Sequence, residues 1–203
     1  MTLTPARRSP GRPVSIDPAE VALTALHLFT EKGIENVTMD DIAAAAGVSR
    51  RTVFRLYPSK AALVWGGMKP WTESLRTELE REDLPEDPAD ALVEAWVASL
   101  EHLDTSLEIT RLRLQMIGKS HEAYAWGLNA MAETLGVLAE NIEKRTGFSR
   151  NSLEVTTLVA AMYAAGHNAS VWWAMNDDPR SLAEIIRAGF DGLDNPKFHR
   201  QQP

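Results

Sequence analysis

The chain has 203 residues, no cysteine, and 21 Lys/Arg against 28 Asp/Glu, for a formal net charge of -7. A chain of this length buries a real core without staples, and the absence of cysteine excludes a disulfide framework and a Cys-based zinc site, which fits a reducing cytoplasm. The opening MTLTPARRSPGRP has no apolar centre and no uninterrupted apolar run is bilayer-sized, so neither a secretory signal nor a membrane span is expected.

The charge is unevenly distributed. Residues 1–60 hold eight Lys/Arg and six Asp/Glu, whereas the remainder holds thirteen and twenty-two. A weakly basic head on an acidic body suits a protein that offers only one end to phosphate.

In chain order, residues 1–15 contain three Pro, one Gly and three Arg, and read as a flexible arm. Arg7, Arg8 and Arg12 are placed there to reach phosphate or a minor groove; a plain solubilising tail is the equal alternative. A first helix is predicted from Asp17-Pro18 to Lys32, with Val21, Ala22, Ala25, Leu28 and Phe29 as its apolar stripe and Gly33 as its stop. Thr38 caps a second helix, with Asp41 at the capping-box position and Ile42, Ala45 and Ala46 facing inward. Gly47 ends it in a left-handed turn, Val48 plugs into the core, and Ser49 caps a third helix over Arg50–Leu56. Val53 points inward there, while Arg50, Arg51, Phe54 and Arg55 lie on the outer face. Two short helices about a tight turn, the second carrying arginines, form a helix-turn-helix of the kind that enters the DNA major groove. An Arg grips a guanine edge or a phosphate with two parallel hydrogen bonds. The competing reading is a solvated basic face on an ordinary helical hairpin.

Ser59 caps a fourth helix expected to run unbroken to about Glu82, followed by a loop over DLPEDP. Further helices are predicted over 89–103, 107–118, 121–146, 152–176 and 180–193, with a frayed tail from Asp194. The fold class is therefore all-α: an N-terminal three-helix DNA-binding domain over 16–62 and a helical bundle over 63–193, about nine helices in total. All six Trp lie in the body. Trp65, Met68, Trp96, Leu100, Leu103, Met116, Tyr124, Trp126, Met131 and Trp172 are the large, adaptable side chains from which an apolar pocket is built, together with Trp71 and Trp173. His121, His167 and Asn168 are the candidate polar anchors, and Arg111 and Arg113 are placed either to meet an anionic group or to form surface ion pairs. The competing reading of these residues is a solid core.

The stretch from Ile16 to Val64 resembles the TetR family of transcriptional repressors. The resemblance rests on Leu28-Phe29, Gly33, Thr38-Met39, Ile42-Ala43, Ala46-Gly47-Val48-Ser49, Thr52-Val53-Phe54 and Tyr57-Pro58-Ser59-Lys60-Ala61-Ala62-Leu63. It implies phosphate contacts from Thr38, Ser49, Thr52 and Lys60, and base contacts from Arg50, Arg51 and Phe54. Leu56 departs from the family's usual polar residue, so Arg55 is the substitute for that contact, and Tyr57 completes the candidate DNA-binding set. The fourth helix would transmit ligand state, and the last two would form a four-helix dimer interface through Ala160, Ala161, Ala164, Ala165, Gly166 and Ala169. The residues around Arg50–Lys60 and Val64-Trp65-Gly66 further resemble the branch of mycofactocin-system regulators, which implies a long-chain acyl-coenzyme A inducer.

The expected function is a homodimeric regulator, released from a double-stranded palindromic operator by a small apolar or acyl effector. No cofactor and no metal is expected. A DNA-binding or interaction module without effector is the alternative. A small helical enzyme is weaker still, because the five His are scattered and neither HExxH nor GxSxG occurs.

Overall fold

Eleven α-helices and one 3-10 turn, with no strand, make up the described residues, 17–101 and 107–193, of the computed structural model. The arm over 1–15, the tail from Asp194, and Leu103 lie outside them.

The head is built by local capping chemistry. Helix α1 (Pro18–Lys32) starts where the Asp17 carboxylate accepts from the Ala19 N–H, and stops at Gly33, whose φ of 83° suits only glycine. A 3-10 turn (Ile34–Asn36) leads to α2 (Met39–Ala45). Thr38 and Asp41 close a reciprocal capping box there. Gly47 takes φ 66° in the turn, and Ser49 caps α3 (Arg50–Leu56) by accepting from the Thr52 N–H. Val53 is fully buried beneath the turn. One expectation for α2 fails: Ala45 is exposed and Ala43 takes its inward place beside Ile42, because the short helix turns the 42–43 edge onto α1.

The expected unbroken fourth helix is two helices, α4 (Lys60–Trp65) and α5 (Met68–Leu79). Pro70 explains the break. Lacking an N–H, it cannot bond back to Gly66, and Gly66-Gly67 is itself a poor helix former. Then come α6 (Pro88–Glu101) and α7 (Leu107–Lys119).

The expected helix over 121–146 is likewise divided, into α8 (His121–Trp126) and α9 (Leu128–Thr146). Here the cause is a tertiary contact. The Trp65 indole N–H donates to the Ala123 carbonyl at 2.6 Å, taking the acceptor that a continuous helix would give to Gly127. The Gly127 N–H turns to Tyr124 instead. A Cβ on Gly127 would sit 2.1 Å from the Trp65 ring, so only glycine admits the indole. The long α10 (Leu153–Met175) and α11 (Leu182–Asp191) close the chain.

Two apolar cores result. The body core joins α5, α6, α9, α10 and α11 around Leu75, Leu92, Leu138 and Ile186. The head core joins α1 to α4 around Leu26, Phe29, Ile42 and Leu63, and it also takes in Ile109, Met116 and Ile117 from α7 and Ala123 from α8. Leu182, Ile185, Ile186 and Phe190 of α11 are all buried within the chain itself, whereas Leu193 just beyond the helix is exposed.

Candidate functional site

The outer face of α3 presents three arginines in different states. Arg50 is held by Asp40 of α2 at 2.9 Å and lies over the Phe54 ring at 5.3 Å. Among the described residues, Arg51 and Arg55 have no ion-pair partner and both are exposed. They are four residues apart and so share a helix edge. Phe54 stands 39% exposed, a large apolar ring with the Arg50 guanidinium over it. Around this edge, Thr38 is exposed in its capping box and Ser49 is exposed with its hydroxyl 2.8 Å from that of half-buried Thr52.

Tyr57 and Lys60 are committed inward. The Tyr57 hydroxyl donates to the Pro18 carbonyl at 2.9 Å, and burial raises its pKa above the ordinary phenol value. The Lys60 ammonium donates to the Ile34 carbonyl at 2.6 Å, which leaves two N–H groups for an outside acceptor. The first bond ties the end of α3 to the start of α1, and the second ties the start of α4 to the turn after α1.

The other end of α4 forms part of a cavity wall. A cavity of about 120 Å³ is lined by Val64, Trp65, Met68, Trp71, Trp96, Leu100 and Leu182, with Thr110, Arg113, Leu114 and Ile117 from α7 and Tyr163, His167 and Ser170 from α10. A second, more polar hollow of about 320 Å³ is lined by Ile117, Gly118, Lys119, Ser120, His121, Tyr124, His167, Asn168 and Val171. Ile117 and His167 belong to both walls. The His167 ring is stacked on Trp65 at 6.4 Å and on Tyr163 at 5.7 Å, with Tyr124 tilted against it at 5.9 Å. Burial pulls its pKa below the ordinary imidazole value, so the ring is neutral at physiological pH.

The predicted body residues thus separate. Trp65, Met68, Trp71, Trp96, Leu100 and His167 line the first cavity, and His121, Tyr124, Asn168 and again His167 line the second. Met116 lies in the head core and Met131 in the body core. Trp126 packs against the head core, and Trp173 is buried with the Arg111 guanidinium 4.0 Å above its ring. Trp172 is 44% exposed beneath Arg180. Leu103 is outside the described residues. Sequence reasoning missed Thr110, Leu114, Ile117, Tyr163, Ser170 and Leu182. Tyr163 alone left a signal, one helical turn before His167.

Two family models match the chain. Residues 23–64 match the bacterial regulatory proteins of the tetR family, and residues 86–196 match the MftR C-terminal domain. A Mycobacterium tuberculosis protein named as the mycofactocin biosynthesis transcriptional regulator MftR is 31% identical over 188 residues, covering 91% of this chain and 94% of its own. The HTH-type transcriptional regulator TcmR of Streptomyces glaucescens is 28% identical over 180 residues, covering 83% and 79%. Among solved structures, the TetR family regulator PfmR of Thermus thermophilus superposes with a TM-score of 0.53 at 21% identity, covering 90% of this chain and 99% of its own. FadR of Thermus thermophilus, a TetR family repressor solved in complex with lauroyl-CoA, also gives 0.53 at 21% identity, covering 92% and 98%. The capped helix-turn-helix, the all-helical body behind it and these matches lead to one assignment: the chain belongs to the TetR family of DNA-binding transcription regulators and carries an MftR-type C-terminal domain.

Proposed function

We propose that the protein is a cytoplasmic, homodimeric repressor that leaves a palindromic operator when a small apolar molecule enters the cavity beside α4. One observation carries this reading. The six-residue helix α4 starts at Lys60, next to the recognition helix, and ends at Val64 and Trp65 in the cavity wall. A molecule that displaces Trp65 therefore pushes on the element that aims the head. In a dimer, two heads must match successive major grooves about 34–36 Å apart, so a small rotation of each weakens binding. An effector shifts that balance only by its unequal affinity for the two states. Arg51 and Arg55 are the first-choice base and phosphate contacts on α3, with Arg50 and Phe54 beside them. Thr38, Ser49, Thr52 and Lys60 are the proposed backbone contacts.

Dimerisation is proposed through α10. Leu153, Thr157, Ala160, Ala164, Asn168, Trp172 and Met175 are exposed, recur at helical spacing, and bear no charge along a helix about 34 Å long. An uncharged stripe of that length on a free surface suits a partner helix.

Acyl compounds are the first class to test, because the wall is mostly apolar and FadR, a protein of the same fold, was solved with lauroyl-CoA. A duplex selected from a random pool by the purified protein serves as operator in gel shift, with tryptophan fluorescence reporting occupancy. Saturable quenching together with release of the duplex is the expected result. Quenching without release leaves a binding cavity but removes the regulation. Neither signal with any acyl compound supports the module without effector.

A further inference from the structure

Arg113 is the one described arginine in the cavity wall, and it is out of keeping with the rest of that wall. No carboxylate among the described residues pairs with it. Its single hydrogen bond runs from Nε to the Leu63 carbonyl at 3.3 Å, a long contact at the limit of the geometry. Burial depresses its pKa, but a guanidinium stays charged under any physiological condition. A largely desolvated cation without a counter-ion is costly, and an anion brought to it by a ligand recovers that cost.

Its position is equally specific. Leu63 is in the last turn of α4, where a helix leaves carbonyls without a following N–H, so Arg113 supplies the donor that the turn lacks. The guanidinium lies against Gly66-Gly67. A Cβ on Gly67 would meet its Nη1 at 2.6 Å, and a Cβ on Gly66 would lie 3.1 Å from the Tyr57 ring. Tyr57 in turn donates to Pro18 at the start of α1.

We propose that Arg113 is the receptor for an acidic group on the effector, a carboxylate at the end of a compact apolar body, and that its transfer from the Leu63 carbonyl to that carboxylate signals occupancy to the head. This rests on the effector reading of the cavity. A carboxylate offers the guanidinium two parallel hydrogen bonds and an opposite charge where the Leu63 carbonyl offers one 3.3 Å contact and no charge, so the ligand outcompetes that contact. Once Arg113 moves, the last turn of α4 loses its donor and the Gly66-Gly67 joint loses its packing partner. The ligand class that fits is a medium-chain or aromatic monocarboxylic acid, since a cavity of about 120 Å³ is ring-sized.

Octanoate and octanol share one apolar chain and differ at the head group, which makes them the probes. Binding is read by tryptophan fluorescence, and release by gel shift of the selected duplex. Wild-type protein is expected to prefer octanoate by about tenfold or more. Arg113→Met is expected to abolish that preference, to bind octanol at least as well as wild type, and, lacking the donor to the Leu63 carbonyl, to hold the duplex more weakly than wild type with no further change when octanoate is added. Equal wild-type affinity for the two probes, or no binding of octanoate, overturns the proposal without needing the variant to fold. Octanoate preference surviving in Arg113→Met also overturns it. Octanol that binds and releases the duplex as well as octanoate sinks the Arg113 receptor but leaves the effector reading intact. Octanoate preference that depends on Arg113 but releases no duplex keeps the receptor and sinks its signal, and the repressor reading with it.

Discussion

Arg51 and Arg50 occupy neighbouring positions but begin from different free energies. Arg50 must give up Asp40 and the Phe54 face before it touches a base, whereas Arg51 gives up only water. Arg51→Ala is therefore expected to cost about 1–3 kcal/mol on the selected duplex and much less on a scrambled one; a gel shift with both duplexes measures it, and equal losses would reassign Arg51 to phosphate. Lys60→Ala has two readouts. The slope of log affinity against log salt should fall by about 1 if the ammonium meets a phosphate. The head should also lose about 1 kcal/mol of stability with the bond to the Ile34 carbonyl. A changed melting curve with an unchanged salt slope would restrict Lys60 to bracing. Residues acting through local chemistry were legible in advance. Thr38, Asp41, Gly47 and Ser49 do what spacing alone predicts, because a cap or a left-handed turn involves neighbours three or four positions apart. Arg113 was not distinguishable from Arg111 in the sequence. One lies over Trp173 and the other against α4, and nothing within a few residues of either reports that difference.

Among the helices, glycine substitutions separate packing from propensity. Gly136 of α9 has nothing within 4 Å of an added Cβ, so Gly136→Ala should gain about 0.5–1 kcal/mol from helix propensity alone. Gly166 of α10 faces the Trp96 indole, with an added Cβ 2.5 Å from the ring. Gly166→Ala gains the same propensity but meets an overpacking cost of about 1–3 kcal/mol, so the net change should be destabilising. Thermal denaturation of the pair decides; a stabilised Gly166→Ala would show that Trp96 has room to yield. His167 gives α10 a pH dependence of definite sign. Its folded pKa is depressed by burial, so as pH falls below the ordinary 6.5 the unfolded chain takes up a proton that the folded ring resists. Stability from this residue is thus fully present above that value and declines as pH falls toward the folded pKa. Between about pH 7.5 and pH 5.5 the wild type should lose more melting temperature than His167→Phe, which has no proton to accept. Parallel losses would show that the folded ring protonates freely. Helix existence was legible throughout and helix continuity was not. The break before α5 had a readable cause in Pro70, but the break before α9 arises from Trp65, 58 positions away from its acceptor, which no local pattern encodes.

For the whole molecule, the all-α plan and the head-first order followed from composition and motif, whereas the division of labour among small residues did not. Gly166 and Ala169, expected at a dimer seam, are used within the chain, against Trp96 and Gly189. Ala160 and Ala164 remain on the surface. Ala164→Arg places a long cation in the middle of the uncharged α10 stripe and should convert a dimer to a monomer in sedimentation, with loss of duplex affinity. A variant that stays dimeric would move the interface elsewhere.

Ile109, Met116 and Ile117 of α7 complete the apolar interior of the DNA-reading end. The reader is consequently not a detachable cassette. Grafting residues 17–65 onto another regulator strips four buried side chains from beneath the graft, these three and Ala123 of α8, and the chimera inherits whatever its host supplies there. The same α7 also walls the cavity, and Ile117 serves both places, so a substitution there disturbs the head and the cavity at once.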